Sequence, residues 1–156
     1  MRLGITGHRG LHGEVEQRVR RLLAAAVDDH QGDLTAVSML ADGPDSWLAE
    51  LVLARGGRLD VVVPAEEYRD GLPADHHPIY DRLISRASEV HRTGMIASDA
   101  AAHMAGSEVL VGLADVVLAV WDGLPARGHG GTADVVAYAR RCGVPVQVVW
   151  PEGATR

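Results

Sequence analysis

Short apolar runs alternate with longer amphipathic segments along most of the chain, and this alternation predicts strands followed by helices. Strands are predicted at Arg2–Thr6, Thr35–Leu40, Leu59–Val63, Glu89–Arg92, Val116–Val120 and Val144–Trp150. Helices are predicted at Glu14–Asp29, Pro44–Arg55, Ile79–Ala87, Ser98–Leu113 and Gly131–Arg141. The polar segment Ala65–Pro78 predicts a loop with one helical turn.

The order of these elements predicts the fold class. Strands that alternate with helices form βαβ units with a mainly parallel sheet. Val116–Val120 is apolar throughout, as in strands buried on both faces, so we expect it inside the sheet. The sequence therefore predicts an α/β fold, a single-domain Rossmann-like three-layer sandwich with a mainly parallel sheet of five or more strands. The domain is expected to span residues 1–151, and residues 152–156 are expected to form a frayed tail.

Composition and charge narrow the classes of partner. The formal net charge of −6 argues against duplex nucleic acid, because binding to a phosphate backbone needs a surplus of Lys and Arg. Cys142 is the single cysteine, so an intrachain disulfide is impossible. No apolar run has the length of a membrane span, and the N-terminus lacks a signal-peptide layout. We therefore expect a cytoplasmic protein with no membrane partner.

The loop after the first strand is the first candidate binding element. In open α/β sheets, ligands sit at the carboxyl ends of the strands, near the point where strand order reverses. Gly7, His8 and Arg9 occupy such a position. Glycine lets the backbone approach a phosphate, and arginine adds a charged contact. The alternative is a tight turn with a surface histidine and arginine.

The loop after the second strand is the second candidate. Gly43 would bring the backbone close to a ligand, and the helix that follows offers unpaired N–H groups. Asp45 would repel phosphate, so a contact with a ribose or base suits it better. Its alternative role is that of an ordinary residue in the first turn of the helix.

The loop after Val116–Val120 gives the strongest signal. Gly130, Gly131 and Thr132 open a helix, where backbone donors, a hydroxyl and the positive end of the helix dipole suit a phosphate. Asp122 and Gly123 precede them, and the Asp122 carboxylate could contact a sugar hydroxyl or a divalent cation. A structural glycine turn capped by Thr132 is the alternative.

Other polar residues give less specific signals. His76 and His77 lack metal-ligand spacing, so we predict no metal site. Asp99 and His103 are four residues apart and share a helix face, as an ion pair or as an acid–base pair would.

The motifs in these loops resemble those of the SLOG superfamily, which includes the LOG phosphoribohydrolases and DprA-like Rossmann domains. The resemblance rests on Thr6-Gly7-His8-Arg9, Ala41-Asp42-Gly43-Pro44-Asp45, Trp121-Asp122-Gly123 and Gly130-Gly131-Thr132. The Asp-Gly and Gly-Thr pattern, with Gly143-Val144-Pro145-Val146, is also similar to nucleoside deoxyribosyltransferases. The resemblance implies a Rossmann-like fold, a nucleotide ligand and a homodimer.

One departure from the resemblance bears on catalysis. The LOG enzymes and the deoxyribosyltransferases carry a glutamate three residues after the Gly-Thr pair, where this chain has Val135. Arg127 and His129 also replace a proline and a glycine of the LOG loop.

Three functions remain open. The first is nucleotide binding, as a sensor or as an enzyme with a rearranged site. The second is a nucleoside-monophosphate N-glycosidase or a nucleoside transferase that uses Asp134, Asp99 or Glu108 as its carboxylate. The third is a non-catalytic interaction protein.

Overall fold

The computed structural model describes residues 1–126 and 131–156. Its sheet has six strands, which are β1 (Arg2–Gly7), β2 (Thr35–Ser38), β3 (Arg58–Val63), β4 (Glu89–Arg92), β5 (Val116–Val120) and β6 (Val146–Val148). Its α-helices are α1 (Gly13–Asp29), α2 (Pro44–Ala54), α3 (His77–Ile84), α4 (Ala100–Leu113) and α5 (Thr132–Arg141). A 3₁₀ turn, Ala74–His76, leads into α3.

All neighbouring strands pair in parallel, in the order β4-β3-β2-β1-β5-β6. The predicted parallel α/β sheet is confirmed. The chain builds outward from β1 to β4, then returns to the other side of β1 for β5 and β6. The strand order therefore reverses between β1 and β5, and β5 lies inside the sheet as its apolar sequence predicts.

Helices cover both faces of the sheet and give three layers. On one face, Leu23 of α1 and Leu48 of α2 are fully buried in the main core, together with Leu83 of α3. On the other face, α4 and α5 pack over β5 in a second cluster that contains Val117 and Val135. No helix within the described ranges is both long enough and apolar enough to cross a membrane.

Several element boundaries differ from the sequence prediction, and three of the differences have a physical reason in the structure. β2 ends at Ser38 rather than Leu40, because Leu40 has a φ of 58° and leaves the extended conformation. α4 begins at Ala100 rather than at Ser98, because Asp99 caps it by accepting a hydrogen bond from the backbone N–H of Ala102 at 2.8 Å. The third helix begins at His77, two residues before the predicted Ile79, since proline at its second position fits a helix start.

The last residues fold back onto the domain, although the sequence predicts that they fray. The indole N–H of Trp150 donates to the carbonyl of Ala154 at 3.0 Å. Arg18 on α1 donates to the carbonyl of Glu152 at 3.1 Å. These bonds bring Arg156 to the carboxyl end of the sheet.

Two glycines on α4 make a matched test of how tightly this helix packs. A Cβ on Gly106 would lie 2.7 Å from Cβ of Pro64, whereas a Cβ on Gly112 would meet nothing within 4 Å. We expect Gly106→Ala to lower the free energy of unfolding by about 1 to 3 kcal/mol through overpacking. We expect Gly112→Ala to raise it by roughly 0.5 to 1 kcal/mol, because alanine favours the helix. Urea denaturation measures both, and equal effects of the two variants would contradict this packing.

Candidate functional site

A cleft of about 350 Å³ opens at the carboxyl ends of β1, β2 and β5. It lies at the point where strand order reverses, the usual ligand position in an open parallel sheet. The starts of α2 and α5 and one face of α4 form its walls. The predicted ligand residues that line it are Gly7, His8, Arg9, Asp45, Gly131 and Thr132.

Gly7 ends β1 in a tightly packed place. A Cβ there would lie 2.9 Å from Cβ of Val120 and 3.0 Å from Cβ of Pro44. The absence of a side chain therefore lets β1 approach β5 and the start of α2. The sequence assigns Gly7 to phosphate contact, whereas the geometry gives it a packing role as well.

His8 and Asp122 form a buried pair beside the cleft. Nε2 of His8 lies 3.1 Å from Oδ1 of Asp122, and Arg156 places Nε 2.7 Å from Oδ2 of the same carboxylate. Burial raises the pKa of Asp122, but the hydrogen bonds from the Leu124 backbone and from His8, with the charge of Arg156, hold that pKa below its usual value. Asp122 therefore holds the loop after β1 in place through its contact with His8.

Arg9 is already paired with a carboxylate. Its Nε and Nη2 donate to Oδ1 of Asp42 at 2.9 and 2.6 Å, and both side chains are partly exposed. This ion pair joins the loops after β1 and β2 across the mouth of the cleft. A ligand phosphate would have to share Arg9 with Asp42.

Asp45 is the buried carboxyl group of the cleft. It is 9% exposed, and its Oδ2 accepts a hydrogen bond from the backbone N–H of Ala41 at 3.3 Å. Burial raises the pKa of Asp45 to about 7, against the opposing effects of that hydrogen bond and of the charge of Arg9. Near neutral pH this side chain can therefore either donate or accept a hydrogen bond.

A buried histidine holds the loop that leads to Asp45. Nε2 of His76 lies 2.9 Å from the carbonyl of Leu40 and 3.3 Å from Oγ of Ser46, and Ser46 donates to the carbonyl of Ala41 at 2.7 Å. The sequence places His76 in the polar loop Ala65–Pro78, whereas the structure buries its side chain.

Tyr68 and His103 also line the cleft. From the sequence, His103 is a candidate only as an ion-pair or acid–base partner of Asp99, and Tyr68 as a residue that stacks on a base or packs at the sheet edge. Their rings meet edge to face with centroids 5.5 Å apart. Burial raises the pKa of Tyr68, and the charge of Asp45 adds to this rise. Burial also lowers the pKa of His103, whose Nε2 shares a hydrogen bond of 2.8 Å with Oγ of Ser98. At neutral pH both rings are therefore expected to be uncharged and able to contact an uncharged part of a ligand.

The start of α5 has backbone N–H groups that make no hydrogen bond within the described residues. Gly131 precedes the helix in an extended conformation and, as a glycine, has no side chain with which to cap this end. The backbone N–H groups of Asp134 and Val135 already donate to the carbonyl of Gly131, which leaves those of Thr132 and Ala133. Within the described residues the hydroxyl of the buried Thr132 has no hydrogen-bond partner.

Two further predicted ligand residues, Gly43 and Gly123, do not line the cleft. Gly43 has a φ of 97°, which favours glycine, and it starts α2 beside the backbone of His8 and Arg9. Gly123 sits in an exposed turn, where Leu124 donates to Oδ1 of Asp122. Gly130, Arg127 and His129 lie outside the described residues.

The structure does not place the three candidate carboxylates of the sequence in the cleft lining. Asp99 caps α4, and Glu108 is exposed on that helix. Asp134 lies in the first turn of α5 but does not line the cleft either. Val135, at the glutamate position of the LOG-like pattern, is 2% exposed and packs against Met104.

Several solved structures have the same architecture as this chain. DNA processing protein A from Helicobacter pylori superposes with a TM-score of 0.68 at 17% identity, over 95% of this chain and 64% of that one. DNA processing protein A from Streptococcus pneumoniae gives 0.66 at 18% identity, over 94% and 49%. A molybdenum cofactor binding protein from Rippkaea orientalis gives 0.60 at 16% identity, over 94% and 74%. The chain shares the Rossmann-like fold of these proteins.

The shared fold accounts for only part of the first two neighbours. The chain spans 64% of the H. pylori protein and 49% of the S. pneumoniae protein, so it matches one portion of each. No protein-family model and no curated protein matches the chain by sequence.

The comparison corrects the argument that excluded nucleic acid. The structure of H. pylori DNA processing protein A is described with a single-stranded DNA binding mode, so this fold is compatible with a nucleic-acid ligand. The expectation of no duplex nucleic acid rested on net charge, and that argument is wrong as a ground for excluding nucleic acid, because it does not extend to single strands. Single strands also bind through base stacking and local contacts, which overall charge does not report.

Proposed function

We propose that the cleft binds a nucleotide or a closely related phosphorylated ligand. The observation that carries this proposal is the convergence of free helix N–H groups and a buried protonatable carboxyl on one cleft at the switch point. The volume of about 350 Å³ lies at the lower end of the usual range for small-molecule pockets.

The start of α5 is the proposed phosphate site. The N–H groups of Thr132 and Ala133 and the Thr132 hydroxyl would donate to phosphate oxygens, and the helix dipole would favour the negative charge. Arg9 and Arg156 are each held by an aspartate, so the backbone donors supply much of the attraction.

Asp45 and the two rings form the proposed site for the sugar or base. Asp45 would bond a hydroxyl or a ring nitrogen, and Tyr68 and His103 would contact an uncharged face. A carboxyl whose pKa is about 7 repels a phosphate less than an ionised aspartate does. This arrangement separates the phosphate end of the ligand from its uncharged end.

Nucleotide binding can be measured by thermal shift and titration calorimetry. We expect nucleoside monophosphates to raise the melting temperature more than the corresponding nucleosides, because ligands that bind only the folded state stabilise it. Thr132→Ala removes one hydroxyl and leaves the backbone donors, so affinity should fall about fivefold, or roughly 1 kcal/mol.

The control for Thr132→Ala is Ser85→Ala, which also removes a hydroxyl, but one whose partner is the local carbonyl of Arg82. This variant should bind like the wild type. If a broad panel at millimolar concentration produces no shift, the proposal is wrong.

Single-stranded DNA is a second candidate ligand, favoured by the likeness to the H. pylori protein. The same assay should therefore include short oligonucleotides. If an oligonucleotide binds and nucleoside monophosphates do not displace it, single-stranded DNA is favoured over a nucleotide as the ligand.

A further inference from the structure

Three side chains able to bind a metal meet at the edge of the sheet, and none of them lines the cleft. Asp60 lies on β3, and Glu89 and His91 lie on the edge strand β4. The parallel register pairs Asp60 with Glu89, and Val62 with His91, so the three side chains share one face of the sheet. One ligand atom from each lies within 4.8 Å of the others.

Asp60 is the buried member of this group. It is 4% exposed, and within the described residues its carboxylate has no hydrogen bond or ion pair. Its in-register neighbour on the other side is the apolar Val37 of β2. A mostly buried carboxylate without a partner is unfavourable, and a bound cation at this position would offset that cost.

His91 also has a ring nitrogen that makes no hydrogen bond within the described residues and could bind a metal. Its Nε2 lies 3.2 Å from Oε2 of Glu89, yet it is buried and has no hydrogen-bond partner within the described residues. Glu89 itself is exposed and can move. The group thus combines the imidazole of His91, the buried carboxylate of Asp60 and the exposed carboxylate of Glu89.

We propose that Asp60, Glu89 and His91 bind a divalent transition-metal ion of the Zn²⁺ type. One imidazole nitrogen with two carboxylate oxygens suits such ions, whereas Ca²⁺ and Mg²⁺ prefer oxygen alone. Donors around tetrahedral zinc lie about 3.3 Å apart, so closure from 4.8 Å requires only small rotations of the side chains. The ion would join the edge strand β4 to β3 and leave a coordination position open to water.

Titration calorimetry of the chelator-treated full chain with Zn²⁺ tests this site. We expect one saturable site, and we expect Asp60→Asn and Glu89→Gln each to weaken binding at least tenfold. Replacing Zn²⁺ with Co²⁺ should give visible absorption bands that Asp60→Asn abolishes. The matched control is His30→Gln, because Nε2 of His30 is also buried without a partner but belongs to no such cluster.

Two results would overturn the proposal. One is the absence of saturable binding at millimolar Zn²⁺. The other is binding that Asp60→Asn and Glu89→Gln leave unchanged, which would place the metal elsewhere. Glu89→Gln alters an exposed side chain, so a folding defect in Asp60→Asn would not prevent a decision. Neither result depends on whether the cleft binds a nucleotide.

Discussion

Asp45→Asn is expected to make the protein more stable at pH 8, by about 2 to 4 kcal/mol. Burial raises the pKa of Asp45 to about 7 in the folded chain, from its ordinary value of 3.8. Between these values the folded state holds a proton that the unfolded state has lost, so the stability of the wild type falls as pH rises from about 4 to about 7. Asparagine stays neutral and can still accept the hydrogen bond from Ala41, so it removes this loss.

Urea denaturation of wild type and Asp45→Asn across pH 4 to 8 measures the effect. The curves should lie close together near pH 4 and separate towards pH 8. Asp29→Asn is the matched control, because Asp29 is exposed at the end of α1, and its profile should follow the wild type. A constant difference between Asp45→Asn and wild type at every pH would refute the raised pKa.

Val135→Glu is expected to destabilise the chain by roughly 3 to 5 kcal/mol rather than to create catalysis. Aligned by sequence, this change restores the glutamate of the LOG-like pattern. Val135 is 2% exposed and packs with Met104 and Val117, so the carboxylate would enter the apolar layer between α5 and the sheet. Burying a charge there without a partner is strongly unfavourable.

Ala137→Glu is the control for Val135→Glu, because Ala137 is exposed on the same helix. It should change the free energy of unfolding by no more than about 0.5 kcal/mol. Thermal denaturation and an assay for base release from nucleoside monophosphates should be run on both variants. A stable Val135→Glu protein that releases base would contradict the packing and favour a glycosidase site.

Much of the fold follows from local sequence. The unbroken apolar run Val116–Val120 indicates an interior strand, and the helix that starts at Pro44 begins where proline predicts. Local rules failed at Leu40, whose positive φ ends β2 early, and in the last residues, which long-range bonds hold to α1. Those outcomes depend on contacts between segments that lie far apart in the chain.

The site was only partly predictable for the same reason. The glycine-rich loops can be recognised in the sequence because each follows a predicted strand. Gly7, Asp45 and Thr132, which lie in or next to these loops, do line one cleft. Tyr68 and His103 gave no comparable signal, because their place in the cleft comes from the packing of α4 and a long loop over β1. The burial that raises the pKa of Asp45 is likewise a property of the assembled fold.

The most direct test of nucleotide binding is an NMR titration of the ¹⁵N-labelled chain with a nucleoside monophosphate. The account predicts saturable shifts of the backbone amide signals of Thr132 and Ala133, with a smaller change at Asp45. The corresponding nucleoside should move the Asp45 signal without moving the two amide signals of α5. Saturable shifts confined to residues outside the cleft, or no shifts at millimolar nucleotide, would contradict it.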